Sequence, residues 1–100
     1  METRPIYTIT MLQFALHGRR RCVGFYHNLE FAISEVECNS MDIHECDHWY
    51  CVIEEVTEGL YCYPRKEIWF KWRKDRPGGE GYMKIEKPEH LKQVIGFGIG

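Results

Sequence analysis

Ile68-Trp69-Phe70-Lys71-Trp72-Arg73 alternates without a break: Ile68, Phe70 and Trp72 fall on one side of an extended chain, Trp69, Lys71 and Arg73 on the other. A period of two is a strand signal, and a helix would scatter these residues around its circumference. Downstream, Asp75 to Gly81 with Pro77-Gly78-Gly79 predicts a hairpin loop, and Tyr82 to Glu86 predicts the returning strand. The fold is therefore expected to be organised by an antiparallel sheet.

Working upstream, Trp49 to Val56 is apolar on both faces until Glu54 and Glu55, which predicts a central strand whose C-terminal end emerges into water. Thr57-Glu58-Gly59 turns the chain, and Leu60 to Tyr63 reads as a short strand stopped by Pro64. Ile6 to Leu16 and Cys22 to His27 are rich in β-branched and aromatic residues, predicting an N-terminal hairpin around a basic loop, His17-Gly18-Arg19-Arg20-Arg21. Asn28 is placed to cap a helix that buries Leu29, Ala32, Ile33 and Val36 and closes near Cys38-Asn39, where Asn tolerates a left-handed backbone. Met41 to His48 fits neither period. Pro88 suits the first turn of a second helix through Ile95, since the amide it lacks has no partner there. The expected architecture is α+β: a mainly antiparallel sheet of about five strands with two helices in the order ββα-βββ-α, the helices packed on one face.

One hundred residues with 44% apolar composition suit a single domain, 1–100, with one core. No run approaches the roughly 18 apolar residues of a membrane helix, and Met-Glu-Thr-Arg-Pro lacks the apolar stretch of a signal peptide. A cytoplasmic location without membrane association is the expectation. Cys22, Cys38, Cys46, Cys51 and Cys62 are an odd set without framework spacing, expected to stay reduced and to serve as small apolar residues. Charge is segregated: Cys22 to Pro64 holds nine acids and no Lys or Arg, whereas the other 57 residues hold all thirteen bases and six acids, giving −9 and +7. Folding either separates these into an acidic and a basic surface or interleaves them so that they cancel.

Several constellations can be tested against chemistry. His44, Cys46 and His48 share one side of an extended segment, with Cys38 and Cys51 near enough in sequence to complete a tetrahedral zinc site, although no Cys-x-x-Cys pair accompanies them. No cysteine stands at a helix N-terminus among bases, so none is marked as an activated nucleophile. Adjacent Glu54 and Glu55 point to opposite faces of a strand and do not form an acid–base pair. Gly96-x-Gly98-x-Gly100 lacks the following helix that a phosphate loop needs, and fits close approach to another backbone instead. These absences argue for a protein that is not an enzyme, with no cofactor. The remaining candidate is a ligand site made of Trp69, Lys71 and Arg73 on one strand face and Arg19, Arg20 and Arg21 in the loop. Rings stack on bases while Arg and Lys hold phosphates. An ordinary strand whose Trp is covered by a loop has the same composition.

Arg21-Cys22-Val23-Gly24-Phe25, Asn28-Leu29-Glu30-Phe31-Ala32, Asn39-Ser40-x-Asp42-Ile43, Val52-Ile53-Glu54-Glu55-Val56, Gly59-Leu60-Tyr61 and Gly96-Phe97-Gly98-Ile99-Gly100 together resemble small uncharacterised proteins encoded by phages and prophages of gut Firmicutes. His44, Cys46, His48 and Cys51 are peculiar to this chain. The resemblance implies an anti-defence accessory protein acting in the host cytoplasm without catalysis. It implies either a homo-oligomer that sequesters a nucleotide-derived immune signal or an inhibitor that blocks a host defence protein. The basic and aromatic residues suit the first role and the acidic segment suits the second. Direct nucleic-acid binding is disfavoured, because a pI near 6.2 opposes non-specific attraction to phosphates.

Overall fold

The computed structural model describes residues 4–12, 20–39, 49–58 and 66–86. Within them lie β1 (Ile6–Leu12), β2 (Arg20–Tyr26), α1 (Leu29–Glu37), β3 (Tyr50–Val56), β4 (Lys66–Arg73) and β5 (Gly81–Ile85). The strands form one five-stranded sheet in the order β2-β1-β3-β4-β5, with every neighbouring pair antiparallel. This is the expected α+β architecture with one helix. The second helix predicted over 88–95 and the short strand predicted over 60–63 lie outside the described residues.

The central place of β3 follows from its composition. β2 and β3 both run antiparallel to β1, so they are parallel to each other and no tight hairpin can join them. α1 lies in that connection. Asn28, extended at φ −114° and ψ 121°, accepts a bond from the Phe31 amide at 2.8 Å and so satisfies a first-turn donor. The helix closes at Asn39, whose φ of 51° is left-handed. Between these caps Ala32 and Val36 are buried and Leu29 and Ile33 half-buried against the sheet.

The face under α1 carries Ile9 and Met11 of β1, Cys51 and Ile53 of β3, Ile68 and Phe70 of β4 and Tyr82 of β5. Tyr82 meets Trp72 edge to face at 5.0 Å. The opposite face is closed as well: Leu12, Val52 and Trp69 are buried there, with Tyr50 and Ile85 packed against them. Register explains why two layers form. Ile9 pairs with Ile53 and Ile53 with Ile68 beneath the helix, while Thr10 pairs with Val52 and Val52 with Trp69 on the reverse.

Two expectations are corrected. Glu54 does not emerge into water: it is 0% exposed. β3 is paired to β1 through Val56 and to β4 through Glu55, with Thr8 and Glu67 flanking Glu54 on the face that Val52 also shares. Arg20 and Arg21 belong to β2, not to a loop, because β1 pairs with them through Leu12 and Met11. The β1–β2 register shifts between Ile9 and Thr10, where Gly24 and Cys22 are partners and Val23 is the extra residue of a bulge.

The β4–β5 turn is fastened to the helix by one side chain. Arg76 donates from Nε to the Gly79 carbonyl and from Nη1 to the carbonyls of Glu37 and Tyr82, each at 2.9 Å. Glu37 is the last residue of α1, so the guanidinium sits on the negative end of the helix. A Cβ at Gly81 would lie 2.5 Å from Arg76 Cζ, so Gly81 leaves the space that the guanidinium fills. Gly81→Ala should displace Arg76 and cost about 1–3 kcal/mol, the usual range for bonds to a charged donor. Arg76→Ala should cost a similar amount. Urea unfolding of both single variants and the double variant checks this: the double should lose little more than either single, and full additivity would refute the coupling.

Candidate functional site

The face opposite α1 can be read rung by rung across the strands. Arg20, Leu12, Tyr50, Lys71 and Met83 form one rung, and Cys22, Thr10, Val52, Trp69 and Ile85 the next. Phe25, Thr8, Glu54 and Glu67 form the third. Arg73, paired with Gly81, extends the face beyond the first rung. The strand alternation thus sorts charge along one face: Lys71 and Arg73 toward one end, Glu67 beside buried Glu54 toward the other, and an apolar band with Thr10 between them.

At the basic end Lys71 is half-buried, its Nζ 5.8 Å from the centroid of the Tyr50 ring. The ring's negative face attracts the ammonium and restricts it, worth about 0.5–1 kcal/mol at a partly exposed site. Arg73 is exposed two residues further on. Trp69 is only 2% exposed, packed with Leu12 and Val52, so in this state it is a core residue whose ring is not open for stacking. Its indole Nε1 and the Thr10 Oγ1 are both buried without a hydrogen-bond partner among the described residues.

Of the expected ligand residues, Trp69, Lys71 and Arg73 therefore share one face, and Arg20 holds a backbone position on the same rung as Lys71. Arg21 pairs with Met11 and belongs to the helix side of the sheet, separated from the others by the sheet itself. Arg19 lies outside the described residues, as do His44, Cys46 and His48. Tyr50 was missed at the level of sequence. Its signal was its place opposite Lys71, and that register is a tertiary fact.

Other reactive groups have assignable states. Cys51 is fully buried under α1, and burial pushes its thiol well above the ordinary value, which keeps it neutral. Burial likewise raises the Tyr82 phenol, with the nearby Cys51 adding to it. The Tyr7 phenol is raised by partial burial and by its 3.1 Å bond to the Glu55 carboxylate. Among the described residues no group of three or more His, Cys, Asp or Glu side chains is placed to hold a metal ion, and no helix is long and apolar enough to cross a membrane.

The fold and this surface define an antiparallel α+β sheet protein with a face polarised from basic to acidic. Comparison of the chain with protein-family models, with curated proteins and with solved structures finds no match.

The raised groups set an alkaline limit. Tyr7, Tyr82 and Cys51 lose their protons more readily in the unfolded chain, so the folded state binds more protons there and its stability falls as pH rises past the ordinary values of 9.0 for Cys and 10.0 for Tyr. Urea midpoints should hold steady from pH 7 to about 8.5 and fall above about pH 9.5, with Tyr7→Phe shrinking the fall. A midpoint unchanged at pH 11 would contradict the assignment.

Proposed function

We propose that this chain is a non-enzymatic binding protein that captures a phosphate-bearing, nucleotide-derived ligand at the basic end of the face opposite α1. In this reading it serves, as its phage and prophage resemblance implies, as an anti-defence accessory protein that sequesters a host immune signal in the cytoplasm as a homo-oligomer. The observation that carries the proposal is the Lys71 ammonium held against the Tyr50 ring, with exposed Arg73 beside it on the same face and Arg20 on the same rung. Lys71 and Arg73 are the phosphate-holding side chains, Tyr50 orients Lys71, and Trp69 closes the site from within. Cations on one sheet face offer phosphate charge-assisted bonds.

Isothermal titration of the purified chain against a panel of cyclic and ADP-ribose-type nucleotides tests the reading. Binding at micromolar or tighter dissociation constants is expected, weakening as salt rises. Lys71→Ala and Arg73→Ala should each weaken it about tenfold or more, the equivalent of one lost charge-assisted bond. Silence across the panel at millimolar ligand would overturn it.

A second reading, an inhibitor that blocks a host defence protein through an acidic surface, is favoured by α1. The helix exposes Glu30 next to Phe31, which is 51% exposed, and Glu37 at its C-terminal end. A stable complex with a host protein that Glu30→Lys and Glu37→Lys both weaken, in a chain that binds no nucleotide, would move the assignment there.

A further inference from the structure

β2 borders the sheet among the described residues, and it carries apolar side chains on both of its faces. Phe25 pairs with Thr8 on the face opposite α1, and Tyr26 pairs with Tyr7 on the helix side. Phe25 is 54% and Val23 41% exposed, while Phe31 of α1, 51% exposed, meets the Tyr26 ring edge to face at 4.9 Å. Large apolar groups exposed together along a strand edge mark an interaction surface, because burying them is favourable and the edge offers backbone groups to pair.

The edge is complementary to itself. Beyond the bulge, Gly24-Phe25-Tyr26 is a regular run, and a two-fold axis through Phe25 sets it antiparallel to the same run of a second copy. The two Phe25 rings then lie opposite each other, and each Tyr26 lies opposite the other copy's Gly24, since residues that face each other across an antiparallel pair share a side. Gly24 is on the helix side with Ile9 and leaves open space there: a Cβ built on it would meet nothing within 4 Å. An aromatic ring set across an edge glycine covers the backbone that the glycine leaves bare. The charges follow the same order. Arg21 is exposed near the start of β2, and Glu30 is exposed in the first turn of α1, just past the end of β2. The antiparallel arrangement carries the arginine of each copy toward the glutamate of the other, twice per dimer, and such matched charge sets the register of an interface.

We propose that β2 is a homodimer interface: two copies pair edge to edge about a two-fold axis at Phe25, joining their sheets into one with both helices on the same side. The inference rests on the homo-oligomer of the reading above and gives it an interface. It is independent of the ligand, because Lys71 and Arg73 lie on β4, three strands away from β2. The interface uses the same patch on both copies, so pairing consumes both β2 borders and growth along them stops at two.

Sedimentation equilibrium of the full chain, from low-micromolar to hundred-micromolar concentration, tests the proposal, and a concentration-dependent dimer is expected. Gly24→Val is the sharpest variant. The single chain has room for the side chain, so the urea midpoint should hold or rise, while the added methyls meet the second copy's Tyr26 and weaken the dimer about tenfold or more. Phe25→Lys, at a position exposed in the single chain, should weaken it as much. Arg21→Glu and Glu30→Arg should each weaken it severalfold, and the double exchange should restore it, a rescue that a purely structural role for either residue does not produce. A monomer at every concentration would overturn the proposal and leave the edge to another protein's strand. A dimer that Gly24→Val and Phe25→Lys both leave intact would overturn it as well. Neither result touches the nucleotide reading, which is tested by Lys71-dependent binding, and a dimer that these variants disrupt stands even if no nucleotide binds.

Discussion

Everything in this fold depends on β3 being buried on both faces. A strand flanked on both sides satisfies its backbone polar groups within the sheet, but its side chains must then meet a layer above and a layer below. Cys51 and Ile53 meet α1, whereas Val52 and Glu54 lie in the second layer. Because side chains alternate strictly, a slip of one residue would put Glu54 under the helix and Ile53 beside Thr8, so both layers fix the same register. The pairing of β1 and β4 to β3 follows from that constraint, and with it the row that brings Tyr50 to Lys71.

The same alternation sets the polarity of the candidate site. Trp69, Lys71 and Arg73 share a face because they are two residues apart, and their burial declines in that order from core to solvent. Glu67 lies at the other end of this face, where antiparallel β3 brings buried Glu54 opposite it. On this face the half-buried or exposed charges run from Arg73 and Lys71 at one end to Glu67 at the other.

Much of this was legible in the sequence, and the exceptions share a cause. The alternation from Ile68 to Arg73, the cap at Asn28 and the left-handed Asn39 are local devices, and each marked its element without reference to the rest of the chain. Glu54 was misread because a carboxylate at a strand end ordinarily signals solvent, and only the burial of the face it shares with Val52 overrules that. Arg20 and Arg21 read as loop because a basic run next to Gly18 is a turn composition, yet Leu12 and Met11 draw them into the ladder. The role of Arg76 had no local sign at all, since its partners are backbone carbonyls that any residue supplies. Side chains whose partners lie far along the chain become readable only once the topology is known.

The bulge at Val23 carries a last consequence. β2 borders the described sheet, and Phe25, 54% exposed, and Val23 are apolar residues on it. An unbroken strand of this composition would present an evenly spaced row of amides and carbonyls that any extended peptide could copy. The extra residue throws that row out of phase midway and twists the strand, leaving two short runs in place of one seven-residue template. The chain can thus keep an apolar border without inviting runaway stacking into fibrils.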